Sequence, residues 1–268
     1  MATPTPPSDK LAVAKKKAQA QVNAQQRRAL VVWIVIGLVV VGLFAALIAY
    51  IVRQGDVQEL SGAGQSTPAV ASENGGFGVG ASGVVGGDDL DAKRVRLDIY
   101  FDFMCPVCSQ FEEFRGPEID ALRTAGTADV YYHPISILDR ASQGTSYSTR
   151  AASAGALIAQ EAPDKFLAFT QAMFVSQPAE NSAGLTEAQI QAIATTAGVP
   201  ADVVAKIPDL AYTSWVRSST ERASVDGVGG TPSVALNGVL QDPNTNKDDL
   251  NWGVEGGITT AVNKAAGK

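Results

Sequence analysis

Ala29–Val52 is a run of 24 residues without a charge, and it divides the 268-residue chain into parts with different physical prospects. As a helix rising about 1.5 Å per residue it spans about 36 Å, enough to cross a hydrocarbon core of about 30 Å with some tilt. Buried core helices rarely keep more than about 14 apolar residues in an unbroken run. A cleaved signal peptide has a shorter apolar region, about 7–15 residues, and ends in a small-residue cleavage site. Ala45-Ala46-Leu47-Ile48-Ala49-Tyr50 offers no clean A-x-A site, and no cysteine follows the run to carry a lipid. The run therefore reads as a retained single transmembrane helix over 29–52, with Trp33 and Tyr50 near its ends, where amphipathic rings favour the interface.

The charge balance splits at the same place. The formal net charge is −6, but residues 1–53 carry seven bases and one acid, whereas 54–268 carry 14 bases and 26 acids. Six bases precede the run and only Arg53 follows it closely. The positive-inside rule then predicts a cytoplasmic N-terminus, a single-pass anchor in the cell membrane, and an extracytoplasmic C-terminal region. Residues 1–28 read as a short basic cytosolic tail. Residues 53–92 read as a flexible linker: 54–92 holds ten glycines and six acids without a base, and no apolar periodicity. Gly78-Val79-Gly80-Ala81-Ser82-Gly83 matches G-x-G-x-x-G, but the nucleotide fingerprint needs a strand before it and a helix after it. Inside a glycine-rich tract, with neither expected, the match reads as chance. The acidic balance also argues against a nucleic-acid partner.

Residues 93–268 are long enough for one domain with a sizeable core. Arg94–Phe101 alternates polar and apolar residues, as a half-buried strand does. Cys105-Pro106-Val107-Cys108 follows at once, with Pro106 suited to the first turn of a helix that Gly116-Pro117 should kink or break. Asp129–Ile135 reads as a second strand. Arg150–Glu161, Asp164–Phe174, Thr186–Ala197 and Tyr212–Ser224 carry helical apolar spacing. Ser233–Leu236 and Val239–Gln241 read as a hairpin around Asn237-Gly238, and Lys247–Ala266 as a final helix. This is an α/β plan with an inserted helical subdomain over about 140–225.

The two cysteines, Cys105 and Cys108, carry the chemistry. A thiolate is the nucleophile in thiol–disulfide exchange, so the reaction needs a thiol of low pKa. A helix N-terminus supplies unpaired N–H groups and the positive end of the dipole. Two intervening residues let Cys108 reach Cys105 without rearranging the fold. Three other readings stand beside this one. A zinc site needs about four ligands, and His133 is the only other soft ligand in the chain. A structural disulfide across so short a loop removes little unfolded-state entropy. A reduced pair buried by accident does not suit the expected extracytoplasmic location. Redox exchange needs no metal and no cofactor.

Asp102-Phe103-Met104-Cys105-Pro106-Val107-Cys108, followed by Phe111-Glu112, resembles the active-site segment of the DsbA-like branch of the thioredoxin superfamily. Gly230-Thr231-Pro232-Ser233 with Asn237-Gly238 is similar to that family's cis-proline loop and hairpin. The resemblance implies a thioredoxin fold with a helical insertion. It implies that Cys105 is the exposed attacking thiol, that Cys108 is the buried resolving thiol, and that Pro232 is a cis-proline beside them. Thr231, Pro106 and Val107 would then meet the substrate. Val107 stands where the strongly oxidising members carry histidine, so a cation that would stabilise the thiolate is missing.

Outside the motif, His133 reads as a structural or partly exposed strand residue, Asp98 and Asp102 as solvated carboxylates, and Trp215 and Trp252 as core or groove-lining residues. No G-x-S-x-G elbow accompanies the single histidine. The resulting expectation is a membrane-tethered extracytoplasmic thiol–disulfide oxidoreductase that forms disulfides in exported proteins. Its partners would be cysteine-bearing substrates and, as the resemblance implies, a quinone-linked membrane enzyme that re-oxidises it. A reductase or isomerase fed by a membrane electron donor, or a tethered peptide-binding module without catalysis, are the alternatives.

Overall fold

A computed structural model describes Gly42 and residues 66–86, 94–241 and 251–267. The basic tail, the apolar run apart from Gly42, and 242–250 lie outside the described residues. Among the described residues no helix is long and apolar enough to cross a membrane.

Among the described residues six strands form one sheet. They are β1 (Phe77–Gly80), β2 (Gly83–Val84), β3 (Val95–Phe101), β4 (Ala128–Pro134), β5 (Ser233–Leu236) and β6 (Val239–Gln241), in the order β2-β1-β4-β3-β5-β6. The central pair β3 and β4 is parallel, joined through α1 (Pro106–Thr124), while β5 runs antiparallel to β3 and β6 to β5. Between β4 and β5 lies the insertion: α2 (Tyr147–Glu161), α3 (Phe166–Val175), α4 (Glu187–Thr196), α5 (Ala201–Val204) and α6 (Thr213–Val225). A last helix, α7 (Gly257–Ala265), packs on α1. It begins ten residues later than the expected start at Lys247. Asn237 and Gly238 both take positive φ, the geometry that a two-residue hairpin turn requires.

The sheet is buried on both faces, so β3 is not the half-buried strand its alternation suggests. Leu97, Ile99 and Phe101 face the main core with Val130, Tyr132 and Val234. The other face carries Asp98, Tyr100 and His133, with Tyr100 in a smaller cluster beside Ala223, Val228 and Ala235. Asp98 is buried because it is paired there. Arg96 Nε donates to its carboxylate at 2.9 Å, and His133 Nε2 lies 2.8 Å from Oδ1. His133 is buried too, stacked on Tyr100 at 4.2 Å between ring centroids. The alternation was real, but it marked a polar row covered by protein rather than by water.

The expected linker is corrected in its second half. Residues 77–84 form the β1–β2 hairpin, and β1 pairs antiparallel with β4. Phe77 is fully buried between Phe166 and Trp215, so this segment fastens the insertion to the sheet. The glycines that mimic a linker permit that packing. A Cβ on Gly76 would stand 2.5 Å from the His133 ring, and Gly83, at φ +126°, would meet the Pro163 carbonyl. The G-x-G-x-x-G match thus sits on strands after all. It turns back into β2 instead of opening a helix, so it still lacks the context of a nucleotide loop.

Pro117 neither breaks nor ends α1, which runs through it for 19 residues. Thr124 and Arg123 close the helix instead, with Ala125 as its C-cap.

Candidate active site

The topology gathers the site at one end of the sheet. β3 delivers Asp102–Cys105 at its C-terminal end, and β4, being parallel, ends on the same side. β5 is antiparallel, with Ser233 opposite Tyr100, so the residues before β5 arrive there too. Residues far apart in sequence, 102–105, 134–138 and 230–233, therefore converge.

Cys105 is the N-cap of α1, with Pro106 at its first position. Its Sγ accepts the Cys108 backbone N–H at 3.3 Å, satisfying one of the orphan donors of the first turn. Its neutral thiol donates to the Thr231 carbonyl at 3.2 Å. The Thr231–Pro232 peptide bond is cis. Cys105 is not exposed as expected but buried at 5%, covered by the Thr231 loop, and Cys108 is buried more completely at 1%. Both are free thiols here.

The two sulfurs are shifted in opposite directions. The Cys105 thiol falls from 9.0 to about 6, chiefly because the Cys108 thiol hydrogen-bonds to it; burial opposes this, and the Thr231 side chain and the N–H groups of Cys108 and Val107 add to it. Burial drives the Cys108 thiol well above its ordinary value, and its neighbour's developing charge pushes the same way. Cys105 is the more acidic of the two sulfurs, and Cys108 is the one held as a thiol. The geometry can run dithiol–disulfide exchange.

The other expected residues fall around this pair. Pro106 is exposed, and Val107 is 44% exposed beside it. Val107, Gln110, Phe111, Phe114, Arg115 and Trp252 line an open groove along the outer face of α1. Trp252 thus lines a groove, whereas Trp215 lies in the core. Phe114 is 63% exposed on the same face, a large apolar side chain left to solvent at the far end of the groove from Val107.

Asp102 is fully buried, not solvated. Its Oδ1 accepts the Met104 N–H and its Oδ2 the Leu138 N–H, both at 2.9 Å. The carboxyl thereby pins the turn before Cys105 to the loop that follows β4. Burial pushes its pKa up to about 7, with the neighbouring Ser148 side chain and the two N–H groups offsetting only part of that. Gln177 is a second brace that the sequence did not reveal. Its amide donates to the Phe103 and Cys105 carbonyls from the loop after α3. Nothing in local periodicity marks a loop glutamine 72 residues from the motif.

A thioredoxin family model matches residues 83–254. The chain belongs to the thioredoxin family. Among solved structures, the reduced disulfide bond oxidoreductase DsbG of Mycobacterium tuberculosis is 28% identical, with a TM-score of 0.59, covering 72% of this chain and 88% of that one. Reduced DsbA of the same organism is also 28% identical, with a TM-score of 0.52 over 71% of this chain and 99% of that one. BdbD of Bacillus subtilis, at 18% identity and a TM-score of 0.56, shares the fold. Among curated proteins, the serine/threonine-protein kinase PknE of Mycobacterium tuberculosis is 32% identical over 146 residues, 52% of this chain. This chain spans only 26% of that kinase's length. The thioredoxin fold with a helical insertion is the architecture of the DsbA and DsbG neighbours.

Proposed function

We propose that this thioredoxin-family chain forms disulfides in exported proteins, acting as a membrane-tethered extracytoplasmic enzyme through Cys105 and Cys108. The chain is a protein dithiol–disulfide oxidoreductase, and its direction and location are the parts proposed here. The observation that carries the reading is the placement of two free thiols on one helical turn, Cys105 as the helix N-cap against Thr231 of the cis-proline loop and Cys108 buried behind it.

In the forward cycle a substrate thiolate attacks Cys105 Sγ of the oxidised pair. The Cys105–Cys108 bond breaks, and Cys108 leaves with the electron pair and takes up a proton. A second substrate thiolate then attacks the substrate sulfur of the mixed disulfide, and Cys105 leaves as a thiolate. The substrate has lost two electrons and the enzyme has gained them. A low thiol pKa makes Cys105 a good leaving group in the second step, which favours release of an oxidised product. Thr231 and Pro232 border the sulfur, and Val107 with the α1 groove offers an apolar surface for an unfolded substrate. A quinone-linked membrane enzyme would accept the two electrons from the reduced pair. The uncharged run 29–52 and the charge asymmetry around it support the tether and its orientation.

Val107 supports a second reading, a reductase or isomerase, because no imidazolium stands beside the thiolate to make the couple strongly oxidising.

Cys108→Ala expressed in exporting cells should accumulate mixed disulfides on Cys105, seen as thiol-sensitive adducts. A failure to trap any partner would defeat the catalytic proposal. The in-cell state of the native pair separates the directions: mostly oxidised for an oxidase, mostly reduced for a reductase.

A further inference from the structure

We infer that Gln177, a residue of the helical insertion, is a positioning residue for Cys105, its carboxamide holding the turn on which the attacking sulfur stands. The inference rests on the reading of Cys105 as the reactive thiol.

Gln177 Nε2 lies 2.9 Å from the Cys105 carbonyl and 3.1 Å from the Phe103 carbonyl. Both partners are acceptors, so the NH2 side of the amide must face them and its orientation is dictated. The two carbonyls flank Met104, and holding both fixes the backbone that carries Cys105. Phe103 and Met104 are fully buried, so water is a poor substitute for the amide there.

The brace is itself held in place. The Gln177 N–H donates to the Phe174 carbonyl at 3.2 Å, and Ser109 Oγ on α1 donates to the same oxygen at 3.3 Å. The C-terminal end of α3 is thus docked on the first turn of α1. Pro178 follows Gln177, and a residue before proline is confined to extended backbone, which limits where the side chain can reach.

The chemistry follows from placement. The Phe103 and Cys105 carbonyls belong to the turn that sets Cys105 Sγ against the Cys108 N–H, a donor that favours the anion. Without the amide, that turn loosens and the sulfur loses part of this support. The Cys105 pKa then rises, the reduced pair loses stabilisation, and the couple becomes less oxidising. The insertion would thereby set the reactivity of a cysteine that belongs to the thioredoxin core.

The test uses the full chain, reduced, and follows thiolate ultraviolet absorbance against pH together with the equilibrium with glutathione. Gln177→Ala should raise the Cys105 midpoint. Gln177→Glu, which keeps the size but presents no donors and adds a negative charge, should raise it further. Gln177→Lys, which restores a donor and adds a positive charge, should return it to the parent value or below. The glutathione equilibrium should move toward the disulfide by about tenfold for each pKa unit gained. A parent near 6 with Ala and Glu variants that titrate like it, folded by circular dichroism, would overturn the inference alone. A parent that titrates near 9 would overturn the reading of Cys105, and the inference with it.

Discussion

Cys105 and Cys108 lie on one turn of one helix, yet the structure treats them as different chemical groups. Cys105 caps the helix, where free N–H groups, the Cys108 thiol and Thr231 all face its sulfur. Cys108 points into the core, where burial penalises its anion. Identical side chains diverge because a helix start presents unpaired N–H groups to its sulfur, whereas one turn on the sulfur faces apolar core. A C-x-x-C pair needs that inequality: a thiolate to react, and a thiol held back until a mixed disulfide presents itself.

The largest test of the contrast is pH-dependent alkylation of the reduced protein. Cys105 in Cys108→Ala should react with iodoacetamide well below pH 9. Its midpoint should nonetheless lie above the parent's value of about 6, because the leading cause of the low pKa is the hydrogen bond from Cys108. Cys108 in Cys105→Ala should stay almost inert across neutral pH. Equal rates for the two variants at pH 7 would erase the proposed asymmetry. The sign of the linked stability follows. A thiol with depressed pKa stabilises the reduced fold above its unfolded value of 9.0 and loses that contribution as pH falls through about 6. Acidification from pH 8 to pH 6 should therefore weaken the part of the reduced protein's stability that depends on Cys105, measured as the difference from Cys105→Ala.

A smaller effect tests the scaffold behind the pair. Asp102→Ala leaves the Met104 and Leu138 N–H groups without their acceptor. At about 1–3 kcal/mol for each buried unmet donor, with partial relief by water, urea unfolding should show a loss of about 2–4 kcal/mol. Because the Asp102 pKa is raised to about 7, the native carboxyl favours the fold most below pH 4 and loses that advantage as pH rises through 7. The penalty for Asp102→Ala should thus be greatest in acid. A penalty that grows with pH would contradict the assigned direction.

The smallest effect is the most diagnostic for direction. Val107→His places a titratable group on an exposed position beside the thiolate. An imidazolium there should lower the Cys105 pKa further and make the couple more oxidising, by about tenfold in the glutathione equilibrium for each unit. No shift would mean that position 107 is too far from the sulfur to set its charge.

Much of the site was legible because its signals are local. A strand, a C-x-x-C and Pro106 at a helix start stand within the fourteen residues 95–108, and Asn237-Gly238 is a strong hairpin signal. Asp98 and Asp102 were misread as solvated because a single strand cannot show what covers its second face. Arg96 and His133 neutralise the first, and two backbone N–H groups hold the second. The glycine-rich tract was misread for the opposite reason. Its lack of periodicity meant that close packing was needed at Gly76 and Gly83, not that the segment had no place in the fold.

The sequence by itself determined the order of elements from β3 onward, the reactive pair and the charge asymmetry about the 29–52 run, because these depend on neighbours along the chain. Only the tertiary structure decided which sulfur is a thiolate, that Thr231 meets it, and that Asp102 and Gln177 brace its turn. Those outcomes depend on burial and on hydrogen bonds between segments more than 30 residues apart. Such contacts exist only once the parallel β3–β4 pair and the antiparallel β5 have brought three chain ends to the same edge of the sheet.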